Sequence, residues 1–191
     1  MKICCVKTTS IPEKIKKCTI ALNIKYTDFL KTEDCVWVER AEAETNTAYQ
    51  QLIPYILVKN EQEKFACYKR HGNEKRLHGK LSAGIGGHVD EPDKAETLKK
   101  TLLNGMFREL SEEIENFDRN KCKLTYLGII NEIESEVGAV HLGIVYLMDC
   151  LNGYIPRPAD ELKELTWKTA SEIKNSDTEL WTKLAFDLVR R

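Results

Sequence analysis

Three glutamates near the middle of the chain have the spacing of a metal-binding helix face. Residues 108–114 read Arg-Glu-Leu-Ser-Glu-Glu-Ile, which places Glu109, Glu112 and Glu113 at i, i+3 and i+4. On a helix, these three carboxylates share one face. A hard divalent cation such as Mg²⁺ or Mn²⁺ relieves the repulsion between them, because it takes oxygen ligands. The alternative is an acidic face that is simply solvated.

A cluster of glycines lies upstream of the glutamates. Residues 84–89 read Gly-Ile-Gly-Gly-His-Val and end an apolar run. Because glycine has no Cβ, a ligand or an ion can approach the main chain closely there. Glycines followed by a helix that carries Arg-Glu-Leu-x-Glu-Glu form a compound pattern, which is more specific than either part alone.

This compound pattern resembles the Nudix box, the signature of the Nudix hydrolase superfamily. The resemblance is specific at Arg108–Glu113 and at Gly86–Gly87. It implies a Nudix hydrolase domain over residues 48–191, with residues 1–47 as an N-terminal extension packed on the core. The implied fold class is α+β, a Nudix-type α/β/α sandwich with a mixed β-sheet between helices. The implied activity is cleavage of a pyrophosphate bond in a nucleoside diphosphate linked to another moiety.

The resemblance also implies which residues form the metal site. The cation, Mg²⁺ or Mn²⁺, is expected on Glu109, Glu112 and Glu113, with a main-chain carbonyl of Gly86 or Gly87 as a further ligand. Glu112 and Glu113 are therefore expected to be essential for catalysis. A bound cation neutralises the charge of the phosphates, orients them and lowers the pKa of bound water.

The spacing of the box departs from the family pattern. The family places a Gly fourteen residues before the Arg and a Glu eight before it, where this chain has Lys94 and Lys100. Glu96 stands twelve residues before Arg108, as if four residues, about one helical turn, had been inserted. We expect Arg108 to be structural, fixing the loop to the helix through an acidic partner such as Glu96.

A long amphipathic helix is predicted to present the glutamates. Asp93 is a good N-cap, and the helix is predicted to run from Lys94 to Glu115. Glu115 replaces the Gly that ends the family's box, so the helix could continue to Phe117. The apolar residues that recur every four positions along it are Leu98, Leu102, Met106, Leu110 and Ile114.

Strands are predicted on both sides of this helix, and Pro54 suggests an edge or a bulge in the first of them. The order of strands, helix, strands and helix indicates helices packed on a mixed sheet. The predicted strands are Gln51–Lys59, Lys64–Arg70, Leu81–Gly86, Lys123–Glu132, Val140–Leu147 and Leu162–Lys168, and the later helices are Thr169–Ser176 and Thr178–Arg190.

The general base is expected on a loop outside the box. The turn between the two later long strands carries Glu136, Glu134 and Glu132, preferred in that order. Glu161 and Glu164, further along the chain, are the rival candidates. For each of these glutamates, simple exposure to solvent is the alternative.

Basic residues around the entrance to the box are candidates for substrate binding, because cationic side chains bind phosphates. A solvated basic loop is the alternative. A second histidine, His141, lies inside an apolar strand, where a hydrogen-bonded core residue is expected. The substrate-binding candidates are Arg70, Arg76, Lys80 and His88.

Length and composition fit one enzyme domain. A chain of 191 residues can bury a sizeable core, and its 29 basic and 30 acidic residues argue against a protein that coats nucleic acid. Seven cysteines without a Cys-x-x-Cys pair suggest neither a zinc knuckle nor a disulfide framework. No signal peptide and no membrane span are recognised, so a cytoplasmic protein is expected. The expected partner is a small-molecule nucleoside diphosphate derivative, with no stable nucleic-acid partner and with a homodimer left open.

Two other functions are alternatives to a hydrolase. A Nudix-like module that binds a nucleotide without cleaving it is disfavoured by the intact glutamate triplet, which a pure sensor does not need. Isopentenyl-diphosphate isomerases contain a similar box, but their catalytic cysteine lies in an Asn-x-x-Cys-Ser-His-Pro-like segment. This chain has no such segment, and Cys67 lies in an ordinary predicted strand.

Overall fold

A mixed β-sheet forms the centre of the protein. It is seen in a computed structural model, which describes residues 1–69, 79–159, 162 and 164–189. Within these residues the sheet contains β1 (Lys2–Lys7), β2 (Ile20–Leu22), β3 (Cys35–Glu39), β4 (Tyr49–Lys59), β5 (Phe65–Lys69), β6 (Leu81–Ser82), β7 (Gly84–Gly86), β8 (Cys122–Asn131), β9 (His141–Cys150) and β10 (Thr166–Lys168).

The long strands β4 and β9 are neighbours at the middle of the sheet. The strand order is β10-β5-β4-β9-β8-β2, and β1 and β7 pair with β4 on its side away from β9. β4 and β9 run parallel, from the pair Gln51 and His141 to the pair Lys59 and Asp149. The other paired strands run antiparallel. The predicted mixed sheet is therefore confirmed.

Helices cover both faces of this sheet. The structure contains α1 (Glu13–Lys16), α2 (Arg40–Ala43), α3 (Leu98–Glu113), α4 (Ala170–Lys174) and α5 (Leu180–Val189). The apolar stripe of α3 packs into one core, and α4 and α5 pack into a second core across the sheet. This arrangement of helix, sheet and helix is the α/β/α sandwich that the resemblance implied.

β4 contributes to both cores because successive side chains of a strand point to opposite faces. Leu52 and Ile56 lie in the core with α3, whereas Tyr55 and Leu57 lie in the core with α5. The prediction that Pro54 marks an edge or a bulge was wrong, since β4 is central and pairs with β9 through this residue. Pro54 is tolerated because it falls between the end of the β1 pairing and the start of the β7 pairing, where its missing N–H interrupts neither ladder.

The boundaries of α3 differ from the predicted ones at both ends. The helix begins at Leu98 rather than Lys94, and its N-cap is Thr97, whose side chain accepts a hydrogen bond from the Lys100 N–H. Asp93 instead ends a short 3-10 turn. The helix ends at Glu113, and the predicted extension towards Phe117 is absent.

Tertiary contacts end α3 at Glu113. Ile114 is already extended and forms a β-bridge with Pro158. The Ala159 N–H donates to the Glu113 carbonyl at 2.9 Å, which occupies a carbonyl at the helix terminus. The segment after β9 therefore lies against the end of the helix that carries the glutamates.

The first 47 residues add strands to the same sheet. β1 pairs with β3 and β4, and β2 pairs with β8. The boundary between an extension and a Nudix domain at residue 47 stays a prediction. No helix in the described ranges has the length and apolar character needed to cross a bilayer.

Candidate active site

The Arg108 side chain joins α3 to the loop that follows β7. Its Nε and Nη2 atoms donate to the Asp93 carboxylate at 3.2 and 3.0 Å, and Nη2 also donates to the His88 carbonyl at 2.8 Å. Asp90 lies 3.4 Å from the same nitrogen. Asp93 is only 7% exposed, so the planar guanidinium fork holds a buried carboxylate in place. The glycine loop is thereby fixed against the helix.

The acidic partner of Arg108 is Asp93, and the prediction of Glu96 was wrong. Glu96 is exposed and pairs with Lys100 at 3.1 Å, one turn along the chain. Asp93 stands six residues after Gly87, the same separation that the family has between its Gly and its Glu. The extra length therefore lies between Asp93 and Arg108 and amounts to seven residues, not the predicted four residues. Counting forward from the glycine would have found this, whereas counting back from the arginine did not.

Arg108 also contacts two of the three glutamates. Its Nη1 atom donates to Glu109 at 2.8 Å and lies 3.2 Å from Glu112. Desolvation lowers the pKa of Arg108, but hydrogen bonds to Asp93 and Glu109 outweigh it, so the pKa is raised. Arg108 therefore stays charged and lies within the glutamate cluster, closer to it than its sequence position suggested.

Glu109 lies directly against the glycine loop. A Cβ atom built on Gly87 would come within 2.0 Å of Cδ and 2.1 Å of Oε2 of Glu109. The absence of a side chain at Gly87 is thus what admits this carboxylate. Desolvation raises the pKa of Glu109, Arg108 opposes the shift, and the negative charge of Glu112 adds to it.

The donor types at this site fit a hard cation. Glu109, Glu112 and Glu113 supply carboxylate oxygens, and the Gly87 main chain adjoins Glu109. A cation would also offset the unfavourable burial of the Glu109 charge. Within the described ranges, however, no three Cys, His, Asp or Glu side chains converge on one point as a preformed metal group. Arg108 instead contacts two of the carboxylates.

The His88 ring lies against Gln51 and His141. Its Nε2 atom lies 2.8 Å from Oε1 of Gln51, and its ring centroid lies 5.9 Å from that of His141. Burial lowers the pKa of His88 to about 4, and the positive charges of Arg40 and of the box arginine add to the shift. His88 is therefore neutral near pH 7. His141 hydrogen-bonds the Val137 carbonyl through Nδ1, as expected for a histidine within the fold.

The preferred base candidates lie on the turn between β8 and β9. Glu134 and Glu136 are exposed on this turn. Glu132 is 3% exposed and accepts a hydrogen bond from Ser135 at 2.9 Å. A Cβ on Gly138 would lie 1.9 Å from Oε2 of Glu132, so this carboxylate is enclosed by its own turn.

The rival base candidates follow the segment that caps α3. That segment reaches the last helical turn through the hydrogen bonds from the Ala159 N–H to Glu113 and from the Glu115 N–H to Arg157. Glu164 lies a few residues further on with a φ of 66°. Glu161 falls outside the described residues, and so do the substrate-binding candidates Arg70 and Arg76. Lys80 is half-buried just before β6.

Comparisons with known proteins place the chain in a family. No family model matches the sequence. Protein YmaB of Bacillus subtilis (strain 168) is 34% identical over 163 residues, which cover 80% of this chain and 77% of YmaB. The crystal structure of Tm1382, a proposed Nudix hydrolase, is similar over 100% of this chain and 99% of that one, with a TM-score of 0.79 and 28% identity. The chain belongs to the Nudix hydrolase superfamily.

A more distant structure shares the fold alone. The NUDIX domain of Shewanella oneidensis NrtR, determined in complex with ADP ribose, has a TM-score of 0.57 and 14% identity. The match covers 80% of this chain and 97% of that domain. The resemblance read from the glycines and from Arg108–Glu113 is thus confirmed at the level of the family.

We expect Gly87→Ala to lower the turnover at least about tenfold, because the new Cβ must displace the Glu109 carboxylate. The displaced carboxylate should also weaken activation by Mn²⁺, measured as the cation concentration at half-maximal rate. Gly86→Ala is a milder comparison, since its Cβ would meet atoms of Tyr55, Ile53 and the Pro54 carbonyl no closer than 3.2 Å. Equal effects of the two substitutions would contradict the specific role of Gly87.

We expect the free energy of unfolding to fall as the pH drops from about 6.5 to about 4, by up to about 3 kcal/mol from His88. The sign follows because the folded state holds His88 neutral, so the unfolded state binds the proton first. The charges facing this ring are Arg40, Arg108, His141 and Glu44. Urea titrations at several pH values should show a shallower dependence for His88→Gln, and parallel curves for the two proteins would contradict the assignment.

Proposed function

We propose that the protein is a Mg²⁺- or Mn²⁺-dependent hydrolase that cleaves the pyrophosphate bond of a nucleoside diphosphate linked to another moiety. Membership of the Nudix hydrolase superfamily supports pyrophosphate cleavage in general. The observation that best supports the specific proposal is the cluster around Arg108, which lies within 3.2 Å of Glu109 and Glu112 and fixes the glycine loop beside them.

In this proposal Glu109, Glu112 and Glu113 hold the cation, and a carbonyl of Gly86 or Gly87 adds an oxygen. When bound, the cation neutralises phosphate charge and lowers the pKa of a water molecule. Arg108 positions Glu109 and Glu112 and balances their charge. The carboxylates have to exchange part of their contact with Arg108 for the cation, since they do not converge on their own.

Substrate contacts are proposed on the loops around the glycines. Lys80, Arg70 and Arg76 supply positive charge for the phosphates. His88 is neutral near pH 7, so it contributes hydrogen bonding rather than charge. Nucleoside triphosphates, ADP-ribose, nucleotide sugars and dinucleoside polyphosphates all carry the required bond. ADP-ribose belongs in the first assay because the NrtR Nudix domain was crystallised with it.

Two groups of glutamates compete for the role of general base. Glu136 and Glu134 lie on the turn after β8, and Glu164 and Glu161 follow the segment that contacts Glu113. We expect one Glu→Gln substitution among these four to lower the turnover by about 10²–10⁴-fold, because that is the usual contribution of a general base. The Mn²⁺ concentration at half-maximal rate should change little. The effective variant should also lose the acidic limb of the pH–rate profile. Glu33→Gln, on an exposed turn, is the matched control. Full activity in all four variants would place the base elsewhere.

The proposal is tested with a panel of nucleoside triphosphates, ADP-ribose, nucleotide sugars and dinucleoside polyphosphates, each with and without Mn²⁺ or Mg²⁺. The measured quantity is the nucleoside monophosphate released. We expect hydrolysis of at least one class, and we expect EDTA to abolish it. Tight binding of ADP-ribose without hydrolysis in the presence of Mn²⁺ would favour the non-catalytic sensor instead. Hydrolysis that is indifferent to EDTA would contradict the metal site.

A further inference from the structure

A cavity lies beside α3, between this helix and the strands β8 and β9. It has a volume of about 630 Å³ and is bounded by α3, the strands β8 and β9 and the segment around Tyr26. Lys99, Leu103 and Phe107 of α3 line it, four residues apart along one helix face. None of Glu109, Glu112 and Glu113 is among the described residues that line it, and Glu109 is about 200° around the helix from Phe107.

The walls of this cavity are aromatic. Tyr26, Tyr126 and Tyr146 meet edge to face, with ring centroids 5.7 and 5.4 Å apart in the two successive pairs. Tyr126 is fixed because its hydroxyl donates to the Ile24 carbonyl at 2.7 Å. Phe107 and Phe117 line another side and are half-buried, with stacked rings whose centroids are 6.2 Å apart. Such a surface suits a flat ring system.

The rim of the cavity is positively charged. Lys25, Lys99 and Arg119 line it and are exposed, and none of the described lining residues is acidic. Among the described residues, none of these three cations forms an ion pair. The central carbon of the Arg119 guanidinium lies 4.2 Å from the Phe107 ring centroid, a cation–π contact at the edge of the cavity.

We infer that this cavity binds an aromatic phosphate of about the size of a mononucleotide, at a site separate from the glutamates. The volume falls within the range of small-molecule pockets, about 300–1,000 Å³. Tyr126, Phe107 and Phe117 are half-buried and offer ring contacts to a base-like ring, and the three cations match a phosphate in charge. Binding here requires neither a metal ion nor hydrolysis, so the site can be tested in EDTA, independently of the proposed function.

The first test is a fluorescence titration with 1-naphthyl phosphate in EDTA, followed by competition with AMP. We expect saturable binding with one molecule per chain and displacement by AMP. The double variant Lys99→Gln/Arg119→Gln should weaken binding about tenfold or more. The matched control is Lys174→Gln/Lys183→Gln, which removes two exposed lysines from α4 and α5 and should leave the affinity unchanged.

The second test locates the ligand without a substitution. Cys122 lines the cavity and is half-buried, whereas Cys18 is exposed elsewhere. Saturating 1-naphthyl phosphate should slow the alkylation of Cys122 by iodoacetamide several-fold, measured by peptide mass spectrometry, and leave Cys18 unaffected.

Four outcomes would overturn the inference. The first is the absence of saturable binding, and the second is equal affinity in the Lys99 and Arg119 double variant and its control. The third is stronger displacement of the probe by decanoate than by AMP, which would indicate a site for acyl chains. The fourth is loss of binding in Glu113→Gln, which would place the ligand at the glutamates.

Discussion

Glu112→Gln and Glu113→Gln should each lower turnover by at least about 100-fold while the protein stays folded. The amide keeps the shape of the side chain but removes the charge that a cation needs, and such a loss costs several kcal/mol of transition-state stabilisation. Both residues lie in the last turn of α3, and Glu112 has a 58% exposed side chain, so the fold does not depend on its charge. The measurement is kcat at saturating Mn²⁺, together with the melting temperature.

Glu115→Gln is the matched control for these substitutions, because Glu115 is exposed and lies just beyond the helix. Its turnover should match that of the wild type. Near wild-type turnover of both Glu112→Gln and Glu113→Gln would remove the metal site from the proposed function. Unfolding of both variants would assign the two residues a structural role instead.

Arg108→Ala is expected to impair both stability and activity. Removing one partner of a buried ion pair costs about 3–5 kcal/mol, and the low end applies here because Arg108 is 28% exposed. The substitution leaves Asp93 buried without its guanidinium. It also releases Glu109 and Glu112, so turnover should fall beyond what the loss of folded protein explains. Urea denaturation and turnover per folded molecule separate the two effects.

Arg108→Lys tests the geometry of the same contact. Lysine keeps the charge but has no planar fork that can reach Asp93, the His88 carbonyl and Glu109 together. We expect it to recover only part of the stability. Arg157→Ala removes an exposed arginine and serves as the control. An unchanged melting temperature with abolished activity in Arg108→Ala would show that Arg108 acts on the substrate alone.

Local patterns were sufficient to predict most of the elements that hold the site. The long strands β4, β8 and β9 follow from apolar runs bounded by polar turns, and the stripe from Leu98 to Ile114 follows from helical periodicity. The α/β/α sandwich came from the resemblance rather than from these patterns. The short motif thus predicted the three layers of the sandwich, and the periodicities predicted the individual helices and strands.

The errors arose where distant contacts decide the structure. The segment around Pro158 determines where α3 ends, and no residue near the end of the helix predicts this contact. Pro54 is tolerated in a central strand because of where β1 and β7 happen to stop. Asp93 stands at a position typical of an N-cap, yet its carboxylate accepts hydrogen bonds from Arg108, fifteen residues away. The direction of the His88 ring likewise depends on Gln51 across the sheet.

The seven extra residues between Asp93 and Arg108 include residues 94–97, which are not helical and precede the first residue of α3. Arg108 still reaches the Asp93 carboxylate and the His88 carbonyl, so the helix keeps its contact with the glycine loop despite the added length. Lys99 stands nine residues before Arg108, beyond the place where the family's shorter spacing puts its upstream Glu. The added length therefore preserves the contact between α3 and the glycine loop, yet it supplies Lys99, which lines the aromatic cavity. A single change in loop and helix length can in this way add a binding surface without altering the existing glutamate site.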